Sequence, residues 1–284
     1  MKEVIKVFVR SWVFRSDEKT HKNNIIVKEI FKKLQITKFT EKLFGYELVL
    51  DAGDETLNVL IKELERNEIS VSTRKERVYT KSDIDDAKLL LLYGTAMCGD
   101  GYNVYGTKFE PSNKCSKCGF GEVQVSDLII DKTKMSKKDF AVTYNNEMVI
   151  SKRVAEILEE NKLTGFELWP VYHYTTKMRN ELELYQIMPT NILPLMLSPP
   201  TVIEKSKEYC NLCGNSSQGL QSQPYYKRED LKIICDFNKS CEFFGVKLTR
   251  GTPIQVPIIS QKSYQIFKEN KVRNIKVEPV VIVD

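Results

Sequence analysis

Apolar positions in the first part of the chain alternate between two periods. Residues 3–14 are rich in β-branched and aromatic side chains, which predicts a strand, whereas residues 24–34 place apolar side chains at helical spacing. Further strands are predicted over 46–50 and 69–80, and further helices over 54–67 and 82–94. The last helix begins at Ser82, a typical N-cap, and ends at Gly94. The pattern therefore predicts an N-terminal α/β unit over residues 1–95.

An internal repeat dominates the rest of the chain. Residues 149–171 align with residues 258–280 without a gap, and each copy predicts a helix followed by a strand. A serine begins each predicted helix as its N-cap, an asparagine ends it as a left-handed C-cap, and a Pro-Val pair ends the strand. The matched pairs are Ser151 with Ser260, Asn161 with Asn270, Pro170 with Pro279, and Val171 with Val280. A unit this small cannot bury its own helix, so we expect the two copies to pack together or to extend one sheet.

Each copy is preceded by the same cysteine motif, CSKCG at 115–119 and CNLCG at 210–214. Two thiolates on one turn supply half of a tetrahedral zinc site, so the two turns together supply all four ligands. The glycine after each second cysteine accommodates the positive φ of a zinc knuckle. The predicted ligands of one structural Zn²⁺ are Cys115, Cys118, Cys210 and Cys213.

Bringing the two turns together costs little compared with the metal bonds. Closing a loop of about 90 residues costs roughly 4 kcal/mol of chain entropy. Structural zinc supplies ~10–16 kcal/mol of apparent binding free energy in peptides. Two alternatives stay open: the cysteines are buried or redox-active thiols, or each turn belongs to a separate site with other ligands.

The repeat and the cysteine motifs together predict an α+β protein. The N-terminal α/β unit is followed by two duplicated modules, each a zinc-knuckle turn, strands, a helix and a strand, which share one zinc site. Module A spans residues 96–190 and module B spans residues 191–284. The division follows from a proline-rich stretch without clear periodicity at 188–208, which predicts a linker.

Composition is that of an ordinary globular protein, with 42% hydrophobic and 29% charged residues. Charges interrupt the N-terminal segment, and no stretch approaches the ~18 apolar residues of a membrane span. We therefore expect a cytoplasmic protein without a membrane segment. In that reducing compartment the seven cysteines are expected to be metal ligands or buried thiols rather than disulfides.

The net charge of +5 and the pI of about 8.6 make the chain mildly basic. Local basic runs occur at 72–77 and 131–138, with acidic residues within or beside them. Such runs are typical of solvated surfaces. The alternative hypothesis is a zinc-ribbon protein that binds nucleic acid through these runs.

No set of residues typical of catalysis emerges from the sequence. Cys98 lies in a glycine-rich loop that lacks the lysine of a phosphate-binding motif, and neither His21 nor His173 has metal-ligand spacing. Cys235 and Cys241 are too far apart in the chain for a typical metal-binding pair and are expected to be buried thiols. We therefore predict a protein that is not an enzyme.

The doubled CxxCG, each copy followed by a serine-capped helix and a strand with Pro-Val, resembles the bacterial double-CxxCG motif proteins over about residues 105–284. Some members of that family are classed as immunity proteins, which neutralise toxins delivered between neighbouring cells. The resemblance implies a zinc-stabilised, non-enzymatic protein that binds another protein, a toxin in the immunity case.

Overall fold

The computed structural model describes residues 1–13, 16–101, 103–110, 115–117, 120–135, 137–174, 180–214, 216–245 and 254–284, with the backbone alone for 180–182, 206–209 and 217. These residues form two compact units, Met1–Lys81 and Ser82–Asp284. The first unit therefore ends near residue 81 rather than at the predicted residue 95. The reason is that the strand after residue 85 pairs with strands of the second unit.

The first unit alternates strands and helices, as the hydrophobic pattern predicts. Its elements are β1 (Lys2–Arg10), α1 (Asp17–Lys33), β2 (Thr40–Lys42), β3 (Gly45–Asp51), α2 (Thr56–Arg66) and β4 (Ser70–Val78). The strands form one antiparallel sheet in the order β2-β3-β1-β4. Strand-helix-strand-strand-helix-strand with this order is the ferredoxin-like arrangement.

Both helices of the first unit cover the same face of its sheet. Val7 and Val9 of β1 are buried together with Phe31 of α1 and with Leu60 and Leu64 of α2. Side chains alternate between the two faces of a strand, so the intervening residues of β1 point to the opposite face.

The helix predicted over residues 82–94 is wrong beyond its first turn. A short α3 (Lys81–Asp85) is followed by β5 (Leu89–Gly94). Leu89, Leu90, Leu91 and Leu92 are all buried, because alternate leucines of β5 belong to two different hydrophobic clusters. A run of four leucines carries no period, so the sequence does not distinguish a buried strand from a buried helix there.

The remaining elements fall into two successive series. The first series is β6 (Phe109–Glu110), β7 (Val123–Gln124), β8 (Leu128–Ile130), β9 (Phe140–Val142), β10 (Met148–Ser151), α4 (Lys152–Glu160), β11 (Phe166–His173) and β12 (Asn180–Pro189). The second series is β13 (Asn191–Ile192), β14 (Ile203–Tyr209), β15 (Ser216–Leu220), β16 (Tyr225–Lys227), β17 (Phe237–Phe244), β18 (Ile254–Ser260), α5 (Gln261–Glu269) and β19 (Ile275–Val283). Short 3-10 helices follow β8 and β16, at Lys132–Met135 and Arg228–Asp230.

The two series build sheets with the same strand order and directions. One sheet runs β8-β11-β12-β10-β9, and the other runs β16-β19-β5-β18-β17 with β13 added at its edge. In both sheets the first pair is parallel and the next three pairs are antiparallel. The equivalent central strands are β12 and β5.

The central strand takes a different place in the chain in each half. β5 precedes the first series in the chain but completes the sheet of the second, whereas β12 lies in the sheet of the first. The predicted division at residue 190 falls between β12 and β13. The predicted linker is partly built into the fold, since Leu193 and Met196 are buried.

The two helices of the repeat begin as predicted. Each has nine residues, and the hydroxyls of Ser151 and Ser260 accept the backbone N–H groups of Val154 and Ser263. α4 and α5 pack into one hydrophobic cluster through residues such as Leu158 and Phe267, which also includes residues of both sheets. Each helix lies against its own sheet, and the two copies share one hydrophobic core.

The ends of these helices differ from the prediction. Asn161 and Asn270 have negative φ angles of −87° and −83°, and their side-chain amides donate to carbonyls one turn back. The left-handed residues are the lysines that follow them, Lys162 at φ 50° and Lys271 at φ 51°. Each asparagine thus ends its helix through its side chain rather than through its backbone.

The strands of the repeat do not end at Pro-Val. β11 and β19 continue beyond Pro170 and Pro279, and a second neighbouring strand begins to pair at Val171 in β11 and at Val281 in β19. Up to each proline the strand has a neighbour on one side only. An edge of this kind tolerates a residue without an N–H donor.

Two aspartates link each half of the repeat to the helix end of the other half. The carboxylate of Asp139, before β9, accepts the backbone N–H of Arg273 after α5, at 3.0 Å. The carboxylate of Asp236, before β17, accepts the backbone N–H of Thr164 after α4, also at 3.0 Å. These reciprocal bonds couple the two sheets through equivalent positions.

Candidate metal centre

Each cysteine motif lies at the turn of a β-hairpin. β6 pairs with β7 around the first motif, and β14 pairs with β15 around the second. The N–H of Cys115 donates to the carbonyl of Phe120 at 2.8 Å, and the N–H of Gly214 donates to the carbonyl of Cys210 at 2.8 Å. Gly214 has φ +72°, which is the left-handed conformation predicted for the second knuckle.

Hydrogen bonds attach each hairpin to its own sheet. Gln124 of β7 and Gln186 of β12 exchange two amide hydrogen bonds of 2.8 Å each. The second hairpin is attached by its backbone, because the N–H of Gly245 after β17 donates to the carbonyl of Gln218 in β15 at 3.0 Å. The position of each cysteine turn therefore depends on the sheet beside it.

The two turns bring three of the predicted ligands together. The Sγ atoms of Cys115, Cys210 and Cys213 all lie within 4.8 Å of one another. The Sγ atoms of Cys115 and Cys210 are 3.7 Å apart, too far for a disulfide bond. Two sulfurs bound tetrahedrally to one zinc at about 2.3 Å lie roughly 3.8 Å apart. The spacing and the soft donor set therefore fit a zinc ion.

Cys118, the fourth predicted ligand, lies outside the described residues, as does Gly119. Cys210 is buried, Cys115 is half-buried and Cys213 is exposed. The cluster therefore lies at the surface of the unit, with one thiol facing inward.

The surroundings of Cys210 favour its thiolate. The backbone N–H of Cys213 and that of Leu212 donate to its sulfur, and together with the thiols of Cys115 and Cys213 they lower the pKa of Cys210 to about 6, although burial opposes this change. The thiolate is the form that binds metal. Backbone N–H groups aimed at a ligating sulfur are the outer-shell support that orients metal ligands.

A polar contact joins the two turns beside the cysteines. The ammonium group of Lys117 donates to the side-chain carbonyl of Asn211 at 2.7 Å. Both residues occupy the variable positions within their CxxC motifs, which is the one signal in the sequence that places them near the site. Phe120 also packs edge-on against Phe243 of β17, with ring centroids 5.1 Å apart. The first contact joins the two turns independently of an ion, and the second joins the first turn to β17.

The other reactive residues weighed in the sequence lie in different surroundings. Cys98 is fully buried, and burial together with the charge of Glu147 raises the pKa of its thiol to about 12. A thiol of this kind is a poor nucleophile at neutral pH. The ring nitrogen Nδ1 of His173 lies 3.3 Å from the backbone N–H of Lys132, which donates to it. Cys235 and Cys241 are free thiols outside the three-cysteine cluster, and both are half-buried rather than buried as predicted.

No protein-family model matches this chain, and no curated protein matches it either. Within the part of the chain that the structure describes, no helix is long and apolar enough to span a membrane.

Proposed function

We propose that this chain is a zinc-stabilised protein that acts by binding another protein. The observation that carries the proposal is the convergence of Cys115, Cys210 and Cys213 from two hairpins that lie far apart in the sequence. In this proposal Cys118 is the fourth ligand, and the two halves of the repeat are duplicated zinc-knuckle modules that share one ion.

A four-thiolate site has a structural role because it leaves no coordination position open for a substrate or a water molecule. A bound zinc ion would cross-link the two hairpins. The residues of this chain do the rest: backbone N–H groups orient the sulfur of Cys210, and Lys117 and Asn211 hold the turns together.

Binding rather than catalysis is favoured by the state of the candidate catalytic residues. Cys98 is inaccessible, and its raised pKa keeps the thiol protonated. The resemblance to double-CxxCG proteins supports a protein partner, and within that class we propose a toxin that the chain neutralises in the cytoplasm.

The nucleic-acid hypothesis has less support from the basic runs. The first basic run, at 72–77, lies in β4. There the side chain of Lys75 pairs with Glu3 at 2.7 Å, and that of Arg74 lies 3.8 Å from Glu76. Cations neutralised by neighbouring carboxylates contribute little to phosphate binding. We therefore rank a protein partner first.

Metal analysis of anaerobically purified protein tests the zinc site. We expect one zinc per chain in the wild type, little or none in a Cys213→Ser variant, and full occupancy in the matched control Cys235→Ser. A wild-type protein without zinc, or equal zinc in all three proteins, would overturn the site.

Affinity purification from the native host tests the binding function. We expect a stoichiometric protein partner whose recovery falls when zinc is removed with a chelator. Retention on a heparin column with a steep salt dependence, and no protein partner, would instead favour nucleic acid.

A further inference from the structure

The first unit contains a cavity that the cysteine site does not use. It has a volume of about 470 Å³ and lies between the β2–β3 hairpin and the adjoining ends of β1 and β4. Residues from all four strands and from the β2–β3 turn form its wall, among them Phe8, Arg10, Lys42, Leu43, Phe44 and Ser72. A cavity of this size accommodates one or two bulky side chains of a binding partner.

Large apolar side chains are exposed at the β2–β3 turn, which lines the cavity. Leu43 is 85% exposed and Phe44 is 53% exposed. Trp12 contacts Phe44 edge-on, with ring centroids 5.3 Å apart, and is itself partly exposed. Adjacent exposed apolar residues at a concave surface are typical of a protein-binding site.

The hairpin is held rigidly against β1. Gly45 has φ +146°, and a Cβ at this position would collide with the backbone carbonyl of Val9. The register between Gly45 and Arg10 keeps the two strands paired up to the edge of the cavity. Leu43 and Phe44 are therefore presented on a preformed turn, which lowers the entropic cost of binding.

The charges beside the cavity are not balanced. Glu47, the acidic residue of the lining, is already paired with Lys6 at 3.0 Å and lies 3.9 Å from Lys42. The guanidinium group of Arg10 has no carboxylate partner among the residues that the structure describes. An exposed guanidinium next to an apolar cavity favours a ligand that places a carboxylate beside an apolar group.

We propose that this cavity is the docking site for a segment of a partner protein in which a bulky apolar side chain lies next to an aspartate or glutamate. The apolar side chain enters between Phe8 and Phe44, and the carboxylate pairs with Arg10. The aliphatic Leu43 at the rim favours a protein over single-stranded nucleic acid, which is recognised by stacking on aromatic rings. This proposal rests on the protein-binding function and names the surface that performs it.

A displayed library of random twelve-residue peptides, selected on the full zinc-loaded chain, tests the proposal. We expect enrichment of sequences with Phe, Leu or Trp beside Asp or Glu. The double variant Leu43→Ser/Phe44→Ser should reduce retention of the enriched peptides at least tenfold. Arg10→Glu should shift the selection towards peptides with Lys or Arg beside the apolar residue.

Val59→Ser is the matched control, because Val59 is an exposed apolar residue of α2 that does not line the cavity. It should retain the enriched peptides as the wild type does. Enrichment without an acidic residue, or equal retention by all variants, would overturn the proposal. So would preferential binding of a fluorescent oligonucleotide, or a wild-type dimer that the double variant dissociates. Zinc content is measured in every variant, so that failure of the cavity is distinguished from failure of the metal site.

Discussion

The two large sheets share one strand order, but the aspartate that links each sheet to the opposite half has different hydrogen-bond partners in the two halves. In the first half, Asp139 accepts hydrogen bonds from the guanidinium groups of Arg153 and Arg273, each at 2.9 Å. In the second half, Asp236 has mainly uncharged donors, from Thr164 and from the hydroxyl of Ser260. Equivalent positions thus perform the same backbone contact, while one of them has also acquired an ionic network.

This difference shows that two kinds of contact couple the halves, one to the backbone and one between charged side chains. Backbone geometry is common to both, because each aspartate accepts the N–H that follows the helix of the other half. The two short ion pairs are specific to Asp139, whereas Lys262 lies 3.8 Å from Asp236. Four groups of substitutions test how the halves are held together, and they are ordered here by the size of the effect that we expect.

The largest effect is expected from loss of the metal bridge between the hairpins. Cys210→Ser removes the buried thiol of the cluster and should destabilise the second unit by several kcal/mol through loss of zinc. Chemical denaturation of zinc-loaded protein, followed by the fluorescence of Trp169 in a Trp12→Phe background, measures this change. Cys235→Ser should cost no more than about 1–2 kcal/mol. Equal losses in both variants would contradict a shared ion.

A smaller but substantial effect is expected from the central strands of the two sheets. Leu90→Ala in β5 and Ile187→Ala in β12 should each cost about 2–5 kcal/mol, since both side chains are buried in the same hydrophobic cluster. Both variants should unfold in the same single transition of the second unit. Ile192→Ala, at an exposed position of β13, is the control. Two separate transitions would show that the halves fold independently.

The ionic network should give an intermediate effect that depends on pH. Burial raises the pKa of Asp139, but hydrogen bonds from Arg273 and Arg153 outweigh it and lower the pKa from 3.8 to about 2. The charged form therefore stabilises the fold by about 2 kcal/mol at neutral pH. That contribution is present above about pH 4 and is lost as the pH falls towards 2. Asp139→Asn should remove it.

Stability measured between pH 7 and pH 2 checks this expectation. The difference between the wild type and Asp139→Asn should shrink as the pH falls below 4. The same substitution at Asp236 should have a smaller effect at pH 7. A difference that is constant over the whole range would contradict the ionic origin of the coupling.

The smallest effects are expected at the helix caps. Ser151→Ala and Ser260→Ala should each cost about 1 kcal/mol. The loss at Ser260 should be the larger of the two, because its hydroxyl also donates to Asp236 at 2.9 Å. Thr in place of either serine should retain most of the stability. A greater loss at Ser151 would argue against this role of Asp236.

The helices and strands whose hydrophobic residues recur with a clear period can be predicted from the sequence. The helices of the repeat were predicted because their apolar stripe, serine cap and asparagine recur at matched positions. β5 was not predicted as a strand, since a run of leucines has no period and its partners lie far away in the chain. The place of β5 in the second sheet depends on its pairing with β18 and β19, which no local pattern contains.

The functional residues were likewise predicted only in part. Cysteine spacing identifies the three residues of the cluster, because a CxxC turn places two thiolates close enough to bind one ion. The contacts of Asp139 and Asp236 were missed, since their distances from the matched helices differ and no gapless alignment relates them. The cavity of the first unit also escaped prediction. Its signal is the pair Leu43 and Phe44 before Gly45, which a sequence alone does not distinguish from core residues.

The position of β5 in the chain has a consequence for how the second unit folds during synthesis. β5 leaves the ribosome long before β18 and β19, so its leucines wait for their partner strands until those strands are made. The first sheet closes earlier, when β12 emerges. Removal of β18 and β19 would therefore leave the β5 leucines without partner strands and prone to aggregation.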